Sequence, residues 1–146
     1  IKQIVENNQA YADIYGIKYR FHGLVHEIMV NADAHRLSQV VSNLLSNAAK
    51  FSVPGKDVLV DVSMPNKNTV RISVTNFGKG IPEHYGASLF DRFTQVLENN
   101  DVKKGTGLGL SISRAIIEKH HGTIHYQSTP NDKTTFYFDL NILNNT

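Results

Sequence analysis

Between Asp33 and Phe51 the apolar residues Leu37, Val40, Val41, Leu44, Leu45 and Ala48 recur at steps of three and four, the spacing of one face of an α-helix. Asp33 ahead of them is a natural N-cap, and Pro54-Gly55 stops the run. A second helical pattern runs from Thr106 to His120. A weaker one, carried by Ile1, Ile4, Val5 and Ala12, covers residues 1–14 and ends before Gly16. Elsewhere the period shortens. Ile17 to Phe21 alternate loosely and Ile28-Met29-Val30 is a short apolar run, so both are expected as strands. Val58–Val62 and Val70–Val74 are β-rich and flank the turn-forming Pro65-Asn66-Lys67-Asn68, which predicts a hairpin. Thr123–Gln127 and Thr135–Leu140 close the chain as another strand pair. Residues 76–105 read as irregular, with one apolar island at Leu89, Phe90 and Phe93. Strands flanking a few helices predict an α/β layer, one mixed sheet covered on one face.

Composition narrows the class. The 146 residues suffice for one domain with a real core, and 40% apolar with 19% charged residues is ordinary for a soluble globular chain. With no Cys there is neither a disulfide framework nor a thiolate metal site. A net charge of +2 without a dense Lys/Arg stripe argues against nucleic acid as a partner. No apolar run approaches the roughly 18 residues of a membrane span, and the N-terminus lacks the pattern of a signal peptide. The chain opens inside a helical pattern without Met or N-cap, as expected of a domain cut from a longer protein.

Candidate chemistry changes the picture further. Gln39, Asn43, Asn47 and Lys50 form a row on the side of the long helix opposite the apolar stripe. A solvated polar face accounts for such a row, but Asn is a poor helix former on an exposed face. Two carboxamides one turn apart also suit Mg²⁺, with Lys50 a point charge for phosphate. Asn76-Phe77-Gly78-Lys79-Gly80-Ile81-Pro82 after a β-rich run is either a turn or a place where backbone approaches a ligand. Lys103-Lys104-Gly105-Thr106-Gly107-Leu108-Gly109-Leu110-Ser111 lacks both the preceding strand of a dinucleotide fingerprint and the GK[ST] of a Walker loop. The helix start after Gly109 is still a good anion site.

In this order and spacing the segments resemble the ATP-binding catalytic domain of bacterial sensor histidine kinases, whose fold is shared with gyrase, chaperone and mismatch-repair ATPases. RLSQVVSNLLSNAAKFS is similar to the family's N-box and VTNFGKGIP to its first glycine box. LFDRFTQ is similar to its F-box, and KGTGLGLSISRAIIEKHHGTI to its second glycine box. The resemblance spans about Asp33 to Leu140. It implies a two-layer α/β (α+β) sandwich with a mostly antiparallel sheet and helices on one face. Residues 1–146 would be a single catalytic domain, with 1–14 continuing from a phosphoacceptor and dimerisation domain. By the same resemblance Asn47 would ligate Mg²⁺, with Asn43 and Lys50 at the phosphates as the catalytic pair. Asn76 stands where the adenine-reading Asp belongs. Gly78, Gly80, Ile81 and Phe51 would line the base pocket. Gly105, Thr106, Gly107, Leu108, Gly109 and Leu110 would wrap the phosphates, and Thr134 would add a contact. Residues 82–104 would form a lid pinned by Phe90 and Phe93.

The implied activity is donation of the γ-phosphate of Mg-ATP to a histidine on a separate helical domain, in two-component signalling. The implied partners are that domain and a response-regulator receiver domain. The parent kinase would be a homodimer acting in the cytoplasm, with or without a membrane anchor, the isolated domain a monomer. The ending of LFDRFTQ is reminiscent of hybrid kinases. Three departures stand out. Asn76 is neutral, so its hydrogen bond to adenine should be weaker and discrimination against guanine softer. The third glycine-containing motif, Asn131-Asp132-Lys133-Thr134-Thr135-Phe136, has no glycine. No phosphoacceptor helix is present: His26-Glu27 sits between candidate strands, His120 and His121 are expected as cationic partners of a helix end, and all seven His read as structural or surface residues. Two alternatives compete. An ATPase of the same fold would place a Glu where this chain has Asn43, and Asn cannot serve as that base. A non-catalytic nucleotide-binding or docking module would keep the fold and lose the chemistry.

Overall fold

The computed structural model describes residues 1–94 and 109–144. Among the described residues five strands form one mixed sheet: β1 (Tyr19–His22), β2 (Val58–Asn66), β3 (Thr69–Phe77), β4 (Thr123–Thr129) and β5 (Lys133–Asn141), in the order β1-β2-β3-β5-β4. β1 runs parallel to β2, because α2 (Ala34–Phe51) carries the chain across between them. The other pairings are antiparallel. Helices α1 (Lys2–Asp13), α2 and α3 (Gly109–Lys119) complete an α/β sandwich.

Burial follows the two periods. On α2 the stripe Val40, Val41, Leu44, Leu45, Ala48 and Ala49 is buried. Along β3 and β5 every second residue is buried, so one face of the sheet is core and the other meets solvent. Strand register stacks the inward residues in cross-strand rows: Val70 with Leu140, then Ile72–Phe138–Ile124, then Val74–Phe136–Tyr126. On the outward face Arg71 grips Asp139 with two bonds of 2.7 and 2.8 Å and lies over the Tyr137 ring. That carboxylate holds the Arg71 guanidinium above its ordinary pKa.

The helix ends have identifiable causes. Asp33 Oδ1 accepts the Arg36 N–H at 3.1 Å, capping α2 and holding its carboxyl below the usual carboxylate value. α3 ends in a Schellman motif: Gly122 N–H donates to Ile117 O, His121 N–H donates to Glu118 O, and His121 takes φ 61°. α1 is tied to the rest through buried Val5 and Ala12 and through Asn8, whose Nδ2 donates to Ser42 Oγ at 3.1 Å. Among the described residues no helix is long and apolar enough to cross a membrane.

Several expectations need correction. Ile28–Val30 is not a strand; only Val30 bridges, to Ile142, because the run is too short to build a ladder beyond that contact. Pro65 and Asn66 belong to β2, so the turn shrinks to Lys67-Asn68, with Asn66 Oδ1 accepting the Asn68 N–H. Residues 83–90 are not irregular but form 3-10 turns either side of Gly86. Leu89 and Phe90 are buried there, Phe90 packing on Tyr126 and Phe136, whereas Phe93 is 72% exposed and lies outside the core of the described residues. His120 is not a cationic dipole partner. Its Nε2 accepts the Asp33 N–H at 3.0 Å, which leaves the proton on Nδ1, donated to Ile116 O at 2.8 Å. The neutral ring thereby joins the end of α3 to the start of α2. The other six His, His26 included, are exposed.

Candidate functional site

The next cross-strand row toward the Phe77 end of β3 breaks the apolar pattern. It consists of Asn76, Thr134 and Ser128, neighbours on β3, β5 and β4. Asn76 and Thr134 are 5% and 3% exposed. Burying a polar group costs free energy unless it is paired, so the pairing at this row is informative. Ser128 Oγ accepts the Ile81 N–H at 2.8 Å and lies 2.7 Å from Thr134 Oγ1. The Asn76 carboxamide forms no hydrogen bond with another described residue. Since no side-chain polar atom among them is both sealed off and unpaired, the amide end of Asn76 must reach solvent. It is a nearly buried group with its donors and acceptor unspent.

Glycines frame this row. A Cβ on Gly78 would lie 2.4 Å from Phe51 O and 3.6 Å from Asn76 Nδ2, so only glycine lets the end of α2 close on the end of β3. Val53 N–H and Ser52 Oγ–H both donate to Phe77 O, clasping the same junction. Gly80 takes φ 84° against Ser128 and Pro130. The β4–β5 turn is drawn onto this loop, because Gly78 N–H donates to Asp132 O and Asn131 N–H to Lys79 O. Asn131 has φ 58°. It thus fills the left-handed turn position that glycine would otherwise take, and the glycine-free motif keeps its turn by other means.

Midway along α2, Asn43 Nδ2 faces Gly109 O at 3.5 Å and Ser113 Oγ at 3.4 Å, on the first turns of α3. Asn47 and Lys50, half-buried, lie between Asn43 and the Phe51 end of the helix, and Lys50 Nζ lies 5.8 Å from the Phe51 ring centroid. Eight residues of helix from Asn43 to Phe51 span about 12 Å. A lane of neutral amides and one cation therefore runs from the Asn76 row to the N-terminus of α3, whose first amides have no helical partners. The Asn47 carboxamide makes no hydrogen bond with another described residue and suits a hard cation as one neutral oxygen ligand. No trio of His, Asp or Glu gathers for a metal among the described residues, so such a cation would draw its other ligands from a bound anion and water.

The structure brings Asn76, Gly78, Gly80, Ile81, Phe51 and Thr134 together at one end, and Asn43, Gly109 and Leu110 at the other. Gly105, Thr106, Gly107 and Leu108 lie outside the described residues. Ser128 and Ser113 are polar members of the site that sequence reasoning missed. A lone serine in a strand or helix gives no signal until register or packing places it.

Comparison with known proteins fits this geometry. Residues 32–144 match the family model described as histidine kinase-, DNA gyrase B-, and HSP90-like ATPase. The sensor histidine kinase TmoS of Ectopseudomonas mendocina is 34% identical over 114 residues, covering 77% of this chain and 12% of that protein. The adaptive-response sensory kinase SasA of Rippkaea orientalis is 37% identical over 111 residues, covering 76% of this chain and 28% of that protein. The chain thus spans under a third of the length of these relatives. Among solved structures, full-length ShkA in complex with AMPPNP superposes with a TM-score of 0.84 at 26% identity, over 99% of this chain and 30% of that one. The chain belongs to the family of histidine kinase-, DNA gyrase B- and HSP90-like ATPases, and its relatives there are sensor histidine kinases.

Proposed function

We propose that this domain binds Mg-ATP along the α2 lane and presents the γ-phosphate to a histidine of a separate helical domain of the same sensor kinase. The observation that carries the reading is the nearly buried, unpartnered Asn76 carboxamide at one end of a lane that ends at a helix N-terminus. The purine edge meets Asn76 and Thr134, and Phe51, Gly78, Gly80 and Ile81 bound the base. Lys50 meets phosphate as a point charge, and Asn43 orients it while holding to the first turns of α3. Asn47 takes the Mg²⁺ of the nucleotide, which supplies charge neutralisation to the transferring phosphoryl group. The N-terminal amides of α3 from Gly109 and Leu110 face the phosphates.

Phosphoryl transfer depends on positioning and electrostatics more than on covalent chemistry by the enzyme. The nucleophile comes from the separate helical domain: its acceptor imidazole attacks phosphorus, the bond to the β-phosphate oxygen breaks, and ADP leaves. Asn43 cannot deprotonate water, which favours transfer over hydrolysis. α1 is then the junction to the acceptor domain, and a response-regulator receiver is the next acceptor. In calorimetry the isolated domain is expected to bind Mg-ATP. With labelled ATP it should stay unlabelled alone, whereas a separately made acceptor-helix domain from the same kinase acquires acid-labile phosphohistidine in its presence. Label on the isolated domain, or none on the added acceptor, refutes the kinase reading.

A further inference from the structure

We propose that the Asn76–Thr134–Ser128 row accepts 6-oxopurine nucleotides as well as ATP, so that the substrate class of this domain is purine nucleoside triphosphates rather than ATP alone. The inference rests on the nucleotide reading of the same site. An adenine edge offers a 6-amino donor and an N1 acceptor; a hypoxanthine or guanine edge offers a 6-oxo acceptor and an N1–H donor. A floor that serves one edge and rejects the other must have its donors and acceptors fixed. A carboxylate fixes them, because it only accepts. Every group in this row can reverse instead.

Asn76 carries an acceptor oxygen and an NH₂ donor on one flat group, and no hydrogen bond from a described residue fixes which of them faces the base. Rotation by half a turn exchanges them. The hydroxyl pair reverses in step. Ser128 Oγ already accepts the Ile81 N–H at 2.8 Å, and its 2.7 Å contact with Thr134 Oγ1 is satisfied by a proton from either side. If Ser128 donates to Thr134, the Thr134 hydroxyl is released to donate to an adenine N1. If Thr134 donates to Ser128, a Thr134 lone pair is released to accept an N1–H. Both states keep the Ile81 bond; in the second the Ser128 O–H is left to solvent at the half-buried Ser128, so neither edge is opposed by a sealed donor or acceptor of the kind that normally enforces base choice. None of the three side chains is ionisable in the ordinary range, so no fixed charge biases the choice.

The test is a titration of the intact domain with Mg-ATP, Mg-ITP and Mg-GTP, repeated on Asn76→Asp. Inosine carries the 6-oxo edge without the 2-amino group of guanine, so ITP reads the floor and GTP adds the fit of that amino group. The unsubstituted chain is expected to bind ITP within about tenfold of ATP, a gap smaller than one charge-assisted hydrogen bond provides. Asn76→Asp should widen the gap at least about thirtyfold, mainly by weakening ITP, since a carboxylate faces an oxo oxygen with no donor between them. A wider gap in the unsubstituted chain overturns the proposal, as does a ratio that Asn76→Asp leaves unchanged. If Asn76→Asp does not fold, the ratio for the unsubstituted chain decides alone. A chain that binds none of the three refutes the nucleotide site itself, a distinguishable failure.

Discussion

Replacing Gly78 with Ala tests the closure between α2 and β3. The new methyl would sit 2.4 Å from Phe51 O, about 1 Å inside the 3.4 Å at which ordinary contact begins. Both partners are main chain, held by the bonds of Val53 and Ser52 to Phe77 O and of Gly78 to Asp132 O, so no side chain can swing aside. Overpacking of this kind costs about 1–3 kcal/mol. Relief must come from moving the last turn of α2, which carries Lys50 and Phe51, away from the Asn76 row. A displacement of about 1 Å at a positioning element is worth roughly ten- to a hundredfold in ligand affinity. Gly122→Ala is the matched control: its methyl would lie 2.3 Å from Asp139 O, at the junction of α3 with β5. Urea unfolding should show similar stability losses for the two variants. Calorimetry should show ATP affinity reduced in Gly78→Ala and retained in Gly122→Ala. If Gly78→Ala keeps both its stability and its affinity, the junction is not tight and the reasoning fails; equal losses of affinity in both variants would assign the effect to global destabilisation.

Three further outcomes are expected. Asn47→Ala should bind ATP equally with Mg²⁺ and with EDTA, whereas the unsubstituted chain gains about tenfold from the metal; persistence of the gain would place the cation elsewhere. Asp33 has a folded pKa below its unfolded value, so its cap contributes stability above the unfolded pKa and loses it as pH falls through the folded one. Asp33→Ala should therefore lower the urea midpoint at pH 7 but not at a pH below both values, and a gap persisting there would deny the carboxylate its role. His121→Gly, at φ 61°, should raise stability by about 0.5–1 kcal/mol in urea titration, and a loss would mean that the His121 ring makes a contact of its own.

How much was legible beforehand depended on whether the information lay along the chain or across it. α2 was readable from its stripe and its Asp33 cap because helix period and capping are both local. The alternation in Val70–Val74 and Thr135–Leu140 marked strands for the same reason. Ile28–Val30 misled because apolarity alone does not supply a neighbouring strand. Phe93 misled because it shares the composition of the Leu89-Phe90 island but not its burial. Asn76 and Thr134 stood out through their motifs, yet their adjacency, and the inclusion of Ser128, belong to the register of three strands. His120 could be named at a helix end, but its acceptor role required α2 to come within reach.

The Asn76–Thr134–Ser128 row also bears on how such a domain can diversify. Two of its three members sit on a hairpin whose turn, Pro130-Asn131-Asp132, fixes which residues face inward. A single-residue insertion or deletion that slid one strand against the sheet would invert the parity of that strand, exchanging its core face with its solvent face. Loop-length variation, the easy route by which many binding sites drift, is thus closed at this end of the lane, because the same slip would dismantle the core rows behind it. New base preferences are accessible here by point substitution, and Asn76 is the position where one exchange redraws the hydrogen-bond pattern without disturbing the register.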